Sequence, residues 1–511
     1  ASTARVAASA VTTVHGRVTT RLGLIGGVAA VVPADGLVQL GELAGVRAVT
    51  PDARLHFQSL QPAAPAALAA AAVDPVSVYG KEVRADLAHQ AGWRGEGVTV
   101  ALLDTGVASS PDLSGRVLPV TDELTGATSP CENLSGEPTC ADGFGHGTFM
   151  AGIIAGSGAS SDGKYQGIAP QAKLVSIKVG ASDGSADVSN LLAGIQWAVS
   201  FRHRYNIRVL NLSLGTNSTQ SWQVDPLNYA VERAWAAGIA VVVSASNRGP
   251  APGTISKPAD DPWVITVGAV DDRQTRSVSD DRSPDFSGRG PTVNGLVKPD
   301  VAAPGAHLVS LRSVGSSIDQ QFPNYVAGAY RQGSGTSMAA AVVSGVSALV
   351  LSARPTMSPN RLKYALARTA RPAAMTLPTA VGAGVVDAYA AVNAPPGLAN
   401  LGLPRSSGEG KLSLSRGTVL VETNDPFQTV VQGSQTAQLL TWDPIGYLTG
   451  DWSGSTWYAT PWSTARWYST SWYGDHWVGH NWEGCSWDAG QDADCFYGHN
   501  WEGSAWYGAW D

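Results

Sequence analysis

The sequence predicts an α/β protein whose largest domain carries a doubly wound, mostly parallel sheet. Apolar runs of strand length recur at 97–103, 173–179, 207–213, 239–244 and 263–268. Helical stretches at 190–201 and 226–237 separate the runs beginning at 173, 207 and 239, and strands that alternate with helices build parallel sheets. Polar residues follow two of the runs: Asp104 ends the first, and Ser246-Asn247 follows the fourth. Open α/β sheets keep their working residues at such carboxyl ends.

At 511 residues, the chain is long enough for two to four domains. Charged residues make up only 15%, a balance that suits an extracellular protein. The net charge of -7 comes from the end of the chain, where nine acids and one base, Arg466, follow Trp442. No basic patch points to nucleic acid. No apolar run reaches membrane-spanning length, so no transmembrane segment is expected. The cysteines form two close pairs, Cys131 with Cys140 and Cys485 with Cys495. Each pair could close a local disulfide in an oxidising compartment, with free thiols as the alternative. Their spacing, with no clustered histidine nearby, argues against zinc, and no metal ligand set is assigned. Ala1 in place of a methionine fits a signal peptide already removed, or simply an arbitrary starting point.

Residues 1–75 read as a small α+β domain and linker. Residues 21–33 suggest strand, turn and strand, 36–44 a short helix, and 46–51 another strand. The Pro/Ala run 62–73 is a linker or an exposed site for cleavage. The large domain, 76–395, opens with a helical stretch at 82–91 and the strand into Asp104. Next comes Asp142-Gly-Phe-Gly-His146-Gly-Thr-Phe-Met-Ala-Gly152, in which glycines flank the imidazole and a helix starts near Thr148. A packed structural histidine is the bland reading of His146, and general acid–base work is the sharper one. Asn247 offers a side-chain donor in a turn, suited to developing charge on a carbonyl oxygen. Gly333-Ser-Gly-Thr-Ser-Met-Ala-Ala-Ala341 places Ser337 at the start of an apolar helix. Serine needs a base to take its proton, and an imidazole held by a carboxylate supplies one.

These stretches resemble the signatures of the subtilisin-like serine proteases, in the family's order Asp, His, Asn, Ser. Asp104 stands in Ala-Leu-Leu-Asp-Thr-Gly-Val, His146 in Gly-His-Gly-Thr-Phe-Met-Ala-Gly and Ser337 in Gly-Thr-Ser-Met-Ala-Ala. Lys298-Pro-Asp-Val-Ala-Ala-Pro-Gly305 is similar to the stretch that precedes the family's serine. The resemblance implies a serine endopeptidase with Asp104, His146 and Ser337 as triad, and with Asn247 sharing the oxyanion hole with the Ser337 N–H. It also implies that Ser213, Leu214 and Gly215 form one wall of the S1 pocket, opposite Ser244-Ala-Ser246, with Ser256 near the base. No acid stands at that base, so a medium or large apolar P1 residue is expected rather than a basic one. Gly184 and Ser185 would belong to the edge that pairs with extended protein or peptide substrates. No cofactor is required. Structural calcium is compatible with the resemblance, but the loop 156–167 does not match a family calcium loop.

The resemblance further implies that residues 1–75 are a propeptide, both chaperone and inhibitor, and that the chain is a zymogen. The family's first propeptide strand is weak or missing in residues 1–20. Ala341 and Val342 stand where the family usually has Pro-His, and Ser246 replaces a usual glycine. The former pair bears on packing and the latter narrows the pocket wall.

The resemblance ends near residue 395. A Pro/Gly/Ser linker and a small β unit are expected over 396–441, with strands at 418–422 and 428–432. From 442 to 511 the chain holds twelve of its seventeen tryptophans, and an aromatic recurs every fifth residue from Trp442 to Trp487. A five-residue step follows neither a helical stripe nor one strand face, so the ladder is a tandem repeat in a β/turn-rich extension. Three readings remain open: a flexible tail, a stacked β unit, or an exposed array gripping glycan, cell wall or another protein. The whole predicts a secreted or cell-surface serine endopeptidase, with a non-catalytic surface adhesin using the tail as the alternative.

Overall fold

The computed structural model describes residues 2–33, 36–46, 49, 54–56, 77–121, 126–322, 326–373 and 377–410, and five short strands beyond residue 419. A seven-stranded sheet forms the centre. Its order is Val301–Pro304, Ile265–Val270, Ala240–Ser244, Ile207–Leu212, Thr99–Asp104, Lys173–Lys178 and Glu132–Asn133, and every pairing is parallel. The expected doubly wound α/β architecture is therefore observed. The central strands are buried along their length, which is why they read as Val, Ile, Leu and Ala rather than as alternating polar and apolar residues.

Parallel strands bring their carboxyl ends to one edge. Leu212 pairs with Leu103 on one side and with Val243 on the other. Asp104 and Ser213 therefore leave neighbouring strands side by side, and the chain to Asn247 leaves just beyond them.

The helix Thr336–Ala353 packs on the middle of this sheet. It is long and apolar enough to cross a membrane, yet it is the buried core helix of the domain. Its small residues allow close approach: a Cβ on Gly345 would lie 2.5 Å from Ile168. Ser344 donates to Asn211 Oδ1 at 2.8 Å, which ties the helix to the sheet.

Other elements differ from the sequence reading. Residues 82–91 form two short helices, Tyr79–Glu82 and Ala85–Gln90, because Arg84 between them is left-handed (φ 55°) and its guanidinium reaches Asp387 at 2.9 Å. Residues 2–13 form a helix whose Ala4, Ala8 and Val11 share a buried face. The following hairpin pairs Arg17–Leu22 with Gly27–Val31, starting four residues earlier than the sequence suggested. Most of the strand expected at 46–51 lies outside the described residues.

This leading unit has its own small core of Ala10, Val11, Val14, Val32, Leu37 and Leu40. It also docks on the large domain. Gln196 accepts the Leu24 N–H at 2.8 Å and donates to the Arg21 carbonyl at 2.8 Å, and Leu22 joins the main core.

Cys131 and Cys140 form a disulfide, whereas Cys485 and Cys495 lie outside the described residues. The stretch that reads as a linker after residue 395 lies against the large domain. Trp263 Nε1 donates to the Pro404 carbonyl at 2.8 Å, the Arg405 guanidinium stacks 3.5 Å from the Trp263 ring centre, and Ser406 N–H donates to Glu232 at 2.9 Å. Leu420–Glu422 and Val430–Gln432 pair antiparallel, within the ranges expected for strands there. In the tail, Trp482–Glu483 pairs with Tyr497–Gly498, and the rest of the ladder lies outside the described residues.

Candidate active site

Asp104 ends its strand and His146 begins the helix His146–Ala155. Asp104 Oδ1 lies 2.8 Å from His146 Nδ1, with both side chains at most 1% exposed. Two further groups hold this pair, and sequence reasoning missed both. The Thr105 hydroxyl donates to Asp142 Oδ1 at 2.7 Å and accepts the Gly147 N–H at 3.0 Å. Asp142 also accepts N–H donors from Gly145 and Thr148, each at 2.7 Å, and so caps the helix that carries the imidazole. Burial raises the Asp142 carboxyl pKa, and the bonds from Thr148, Thr105 and Gly145 oppose that rise. The available signal was an aspartate four residues before the histidine, within reach of the first N–H groups of its helix. Gly147 is required by contact, since its Cβ would fall 2.1 Å from the Gly106 carbonyl oxygen.

Ser337 lies in the first turn of the core helix. Its hydroxyl donates to the Ser213 carbonyl at 3.2 Å, and the Ser213 hydroxyl returns a bond to the Ser337 carbonyl at 3.2 Å. Ser213 follows the strand beside the one that ends at Asp104, so the fold brings Ser337 to the rim that carries Asp104 and His146. Asn247 reaches the same helix start: its Oδ1 accepts the Thr336 N–H at 2.8 Å and the Thr336 hydroxyl at 2.9 Å. Those bonds turn the amide oxygen toward Thr336 and leave the nitrogen end of the amide on the other side.

A family model for the subtilases matches residues 95–405 of this chain. The chain belongs to the subtilase family. It is a subtilisin-like serine protease by descent, and the match includes Asp104, His146, Asn247 and Ser337. Serine protease AprX of Bacillus subtilis (strain 168) is 41% identical over 300 residues, which are 58% of this chain and 66% of AprX. M-protease of Shouchella clausii (strain KSM-K16) is 35% identical over 309 residues, 60% of this chain and 68% of that protein. Subtilisin Savinase of Lederbergia lenta is also 35% identical over 309 residues, but these make up 96% of its length. The subtilase match thus spans just under two thirds of AprX and nearly all of Savinase.

The stretches expected to line the substrate pocket pack against one another. Gly215 abuts Ser256, since a Cβ there would lie 2.4 Å from Ser256 Oγ, and the flanking Thr216 and Lys257 are bridged backbone to backbone. Ser256 N–H donates to the Ala245 carbonyl at 2.9 Å, which links the stretch 213–215 to the stretch 244–246. Ser246 has φ 130°, a conformation that favours glycine, and its hydroxyl donates to the Thr254 carbonyl. Leu214 is buried in the core.

Gly184 (φ 81°) turns the chain into the edge strand Ser185–Asp187. That edge holds a strand of the leading segment: Arg54, Leu55 and His56 pair antiparallel with Asp187, Ala186 and Ser185.

Proposed function

We propose that this subtilase hydrolyses peptide bonds as an endopeptidase, with Asp104, His146 and Ser337 as its triad. The observation that carries this reading is the buried 2.8 Å contact of Asp104 with His146 at the rim where Ser337 begins the core helix. Asp104 holds the proton on Nδ1, so Nε2 is the basic nitrogen. As Ser337 Oγ attacks the scissile carbonyl carbon, its proton passes to Nε2 and the carbonyl oxygen becomes an oxyanion. Asn247 Nδ2 and the Ser337 N–H donate to that oxygen. His146 then gives its proton to the departing amine, and the acyl-enzyme forms. Water repeats the sequence, losing a proton to His146 and releasing the acid as Ser337 regains its hydrogen. No cofactor takes part.

Residues 1–75 act as an intramolecular inhibitor, which makes the full chain a zymogen. Support comes from the 54–56 strand lying along the edge expected to bind substrate, and from the Gln196 clamp on residues 21–24. The cleavage that releases it falls in the Pro/Ala stretch before residue 77. The Cys131–Cys140 disulfide and the low charge support an extracellular location. The tryptophan ladder serves as a binding segment for glycan, cell wall or protein, supported by its aromatic content alone.

A fluorophosphonate probe tests the enzyme reading. Protein freed of residues 1–75 should be labelled, and Ser337→Ala should not. Failure of the wild type to react would leave the tail-borne adhesin as the better account.

A further inference from the structure

Glu137 lies inside the loop that the Cys131–Cys140 disulfide closes, and no step of the proposed chemistry uses it. The loop holds this residue from within, since Asn133 Nδ2 donates to the Glu137 carbonyl at 2.8 Å and to the Thr139 carbonyl at 3.2 Å. The carboxylate reaches out of the loop and makes two contacts. Its Oε2 lies 2.8 Å from Nζ of Lys178, a buried ammonium on the residue that stands opposite Asp104 in the parallel ladder. Its Oε1 accepts the Ser182 N–H at 2.8 Å.

Ser182 stands in the turn 181–185, which is closed by the Ala181 N–H on the Ser185 carbonyl at 2.7 Å and by the Gly184 N–H on the Ala181 carbonyl at 3.0 Å. That turn opens the edge strand Ser185–Asp187, along which the strand Arg54–His56 is seated. The Ser317 hydroxyl donates to the Ser182 carbonyl at 2.6 Å. On another side the turn abuts the loop before His146, because a Cβ on Gly143 would lie 2.6 Å from the Ser182 Cβ. Of these supports, Glu137 is the one that carries charge, and a charge-assisted bond is the stronger kind.

We propose that Glu137 is a positioning residue for extended substrates. Through the Ser182 N–H it sets the edge along which a peptide pairs, and the disulfide keeps Glu137 within reach of that turn. A strand added to an edge is held by its backbone bonds, and such bonds weaken steeply once distance and angle leave a narrow range. Glu137 therefore acts on binding of a long chain and not on the reacting atoms. The proposal rests on the protease reading.

The full chain is left to process itself, and wild type is compared with Glu137→Ala, Glu137→Gln and Cys131→Ser/Cys140→Ser. Each is given a small fluorophosphonate, a substrate with a single residue before the scissile bond, and a peptide long enough to lie along the edge. Glu137→Ala should raise KM for the long peptide by about tenfold. Its kcat, its turnover of the short substrate and its labelling rate should stay close to wild type. Glu137→Gln keeps an oxygen for the Ser182 N–H and should restore most of the KM. The cysteine variant should move KM in the same direction as Glu137→Ala. An unchanged KM for the long peptide in Glu137→Ala overturns the proposal, and so does an equal loss on both substrates, which marks a merely structural role. If Glu137→Ala does not fold, the cysteine variant decides by the same comparison of long and short substrates. A wild type that is not labelled overturns the protease reading itself, and this proposal with it.

Discussion

Asn247 Oδ1 accepts both hydrogen bonds that Thr336 can offer, from its N–H at 2.8 Å and its hydroxyl at 2.9 Å. The donor proposed for the oxyanion is thus oriented by the residue immediately before the proposed nucleophile. Thr336→Val keeps the backbone bond and removes the other, so kcat should fall by about tenfold with KM nearly unchanged. Thr336→Ser should restore it. Asn247→Ala should cost about 10²–10³ in kcat, the usual loss when a side-chain donor to an oxyanion is removed. Steady-state kinetics on one peptide substrate separates these outcomes.

Asp142 receives three buried donors, from Thr105, Gly145 and Thr148. Asp142→Ala strands all three and should destabilise the protein by about 3 kcal/mol. It should also lower kcat, because the helix start that carries His146 loses its cap. Urea unfolding of the Ser337→Ala background measures the first effect. An unchanged midpoint would contradict the role assigned to this carboxylate.

Glu137 links the disulfide loop to the rim, pairing with buried Lys178 at 2.8 Å and accepting the Ser182 N–H at 2.8 Å. Burial tends to raise its carboxyl pKa, but the bonds from Lys178 and Ser182 outweigh that and hold it below the usual range. A folded pKa below the unfolded one means the stabilisation is present above the unfolded value and is lost as pH falls through the folded one. The side chain is 25% exposed, so screening limits the effect, and Glu137→Gln should cost about 1 kcal/mol near neutral pH. The difference from wild type should close in acid. Thermal melts across pH 3–7, about the carboxylate range, check this.

Gln196 bonds the backbone of the leading unit at both Arg21 and Leu24. Gln196→Ala removes two bonds worth about 1 kcal/mol each, so the grip on residues 21–24 should weaken by about tenfold or more. Purified full chain carrying this change should gain peptidase activity sooner than wild type. Identical activation time courses would show that the clamp does not limit release.

Ser246 holds φ 130° and closes one side of the proposed S1 wall. Ser246→Gly relieves about 1 kcal/mol of backbone strain and gives up the hydroxyl bond to Thr254. Stability should change little, whereas kcat/KM for a large apolar P1 residue relative to alanine should rise by about tenfold. A series of peptides differing only at P1 reads this ratio.

Local sequence determined the architecture and named the chemical groups. Unbroken Val/Ile/Leu/Ala runs specify strands buried on both faces, and a subtilase pattern is visible because Asp104, His146, Asn247 and Ser337 each sit in a short stretch whose glycines and small residues permit close approach. Tertiary structure decided what holds those groups. Thr105 meets Asp142 across 37 residues, Gln196 meets the hairpin across more than 170, and Arg84 meets Asp387 across 303. The helix at 2–13 was not foreseen from the sequence, because its Ala and Val positions find a core only when the hairpin folds beneath them. Side-chain periodicity records which face is buried, but it carries no record of which distant residue will cover it. Pairings of that kind arise only when chain crossings bring the elements together.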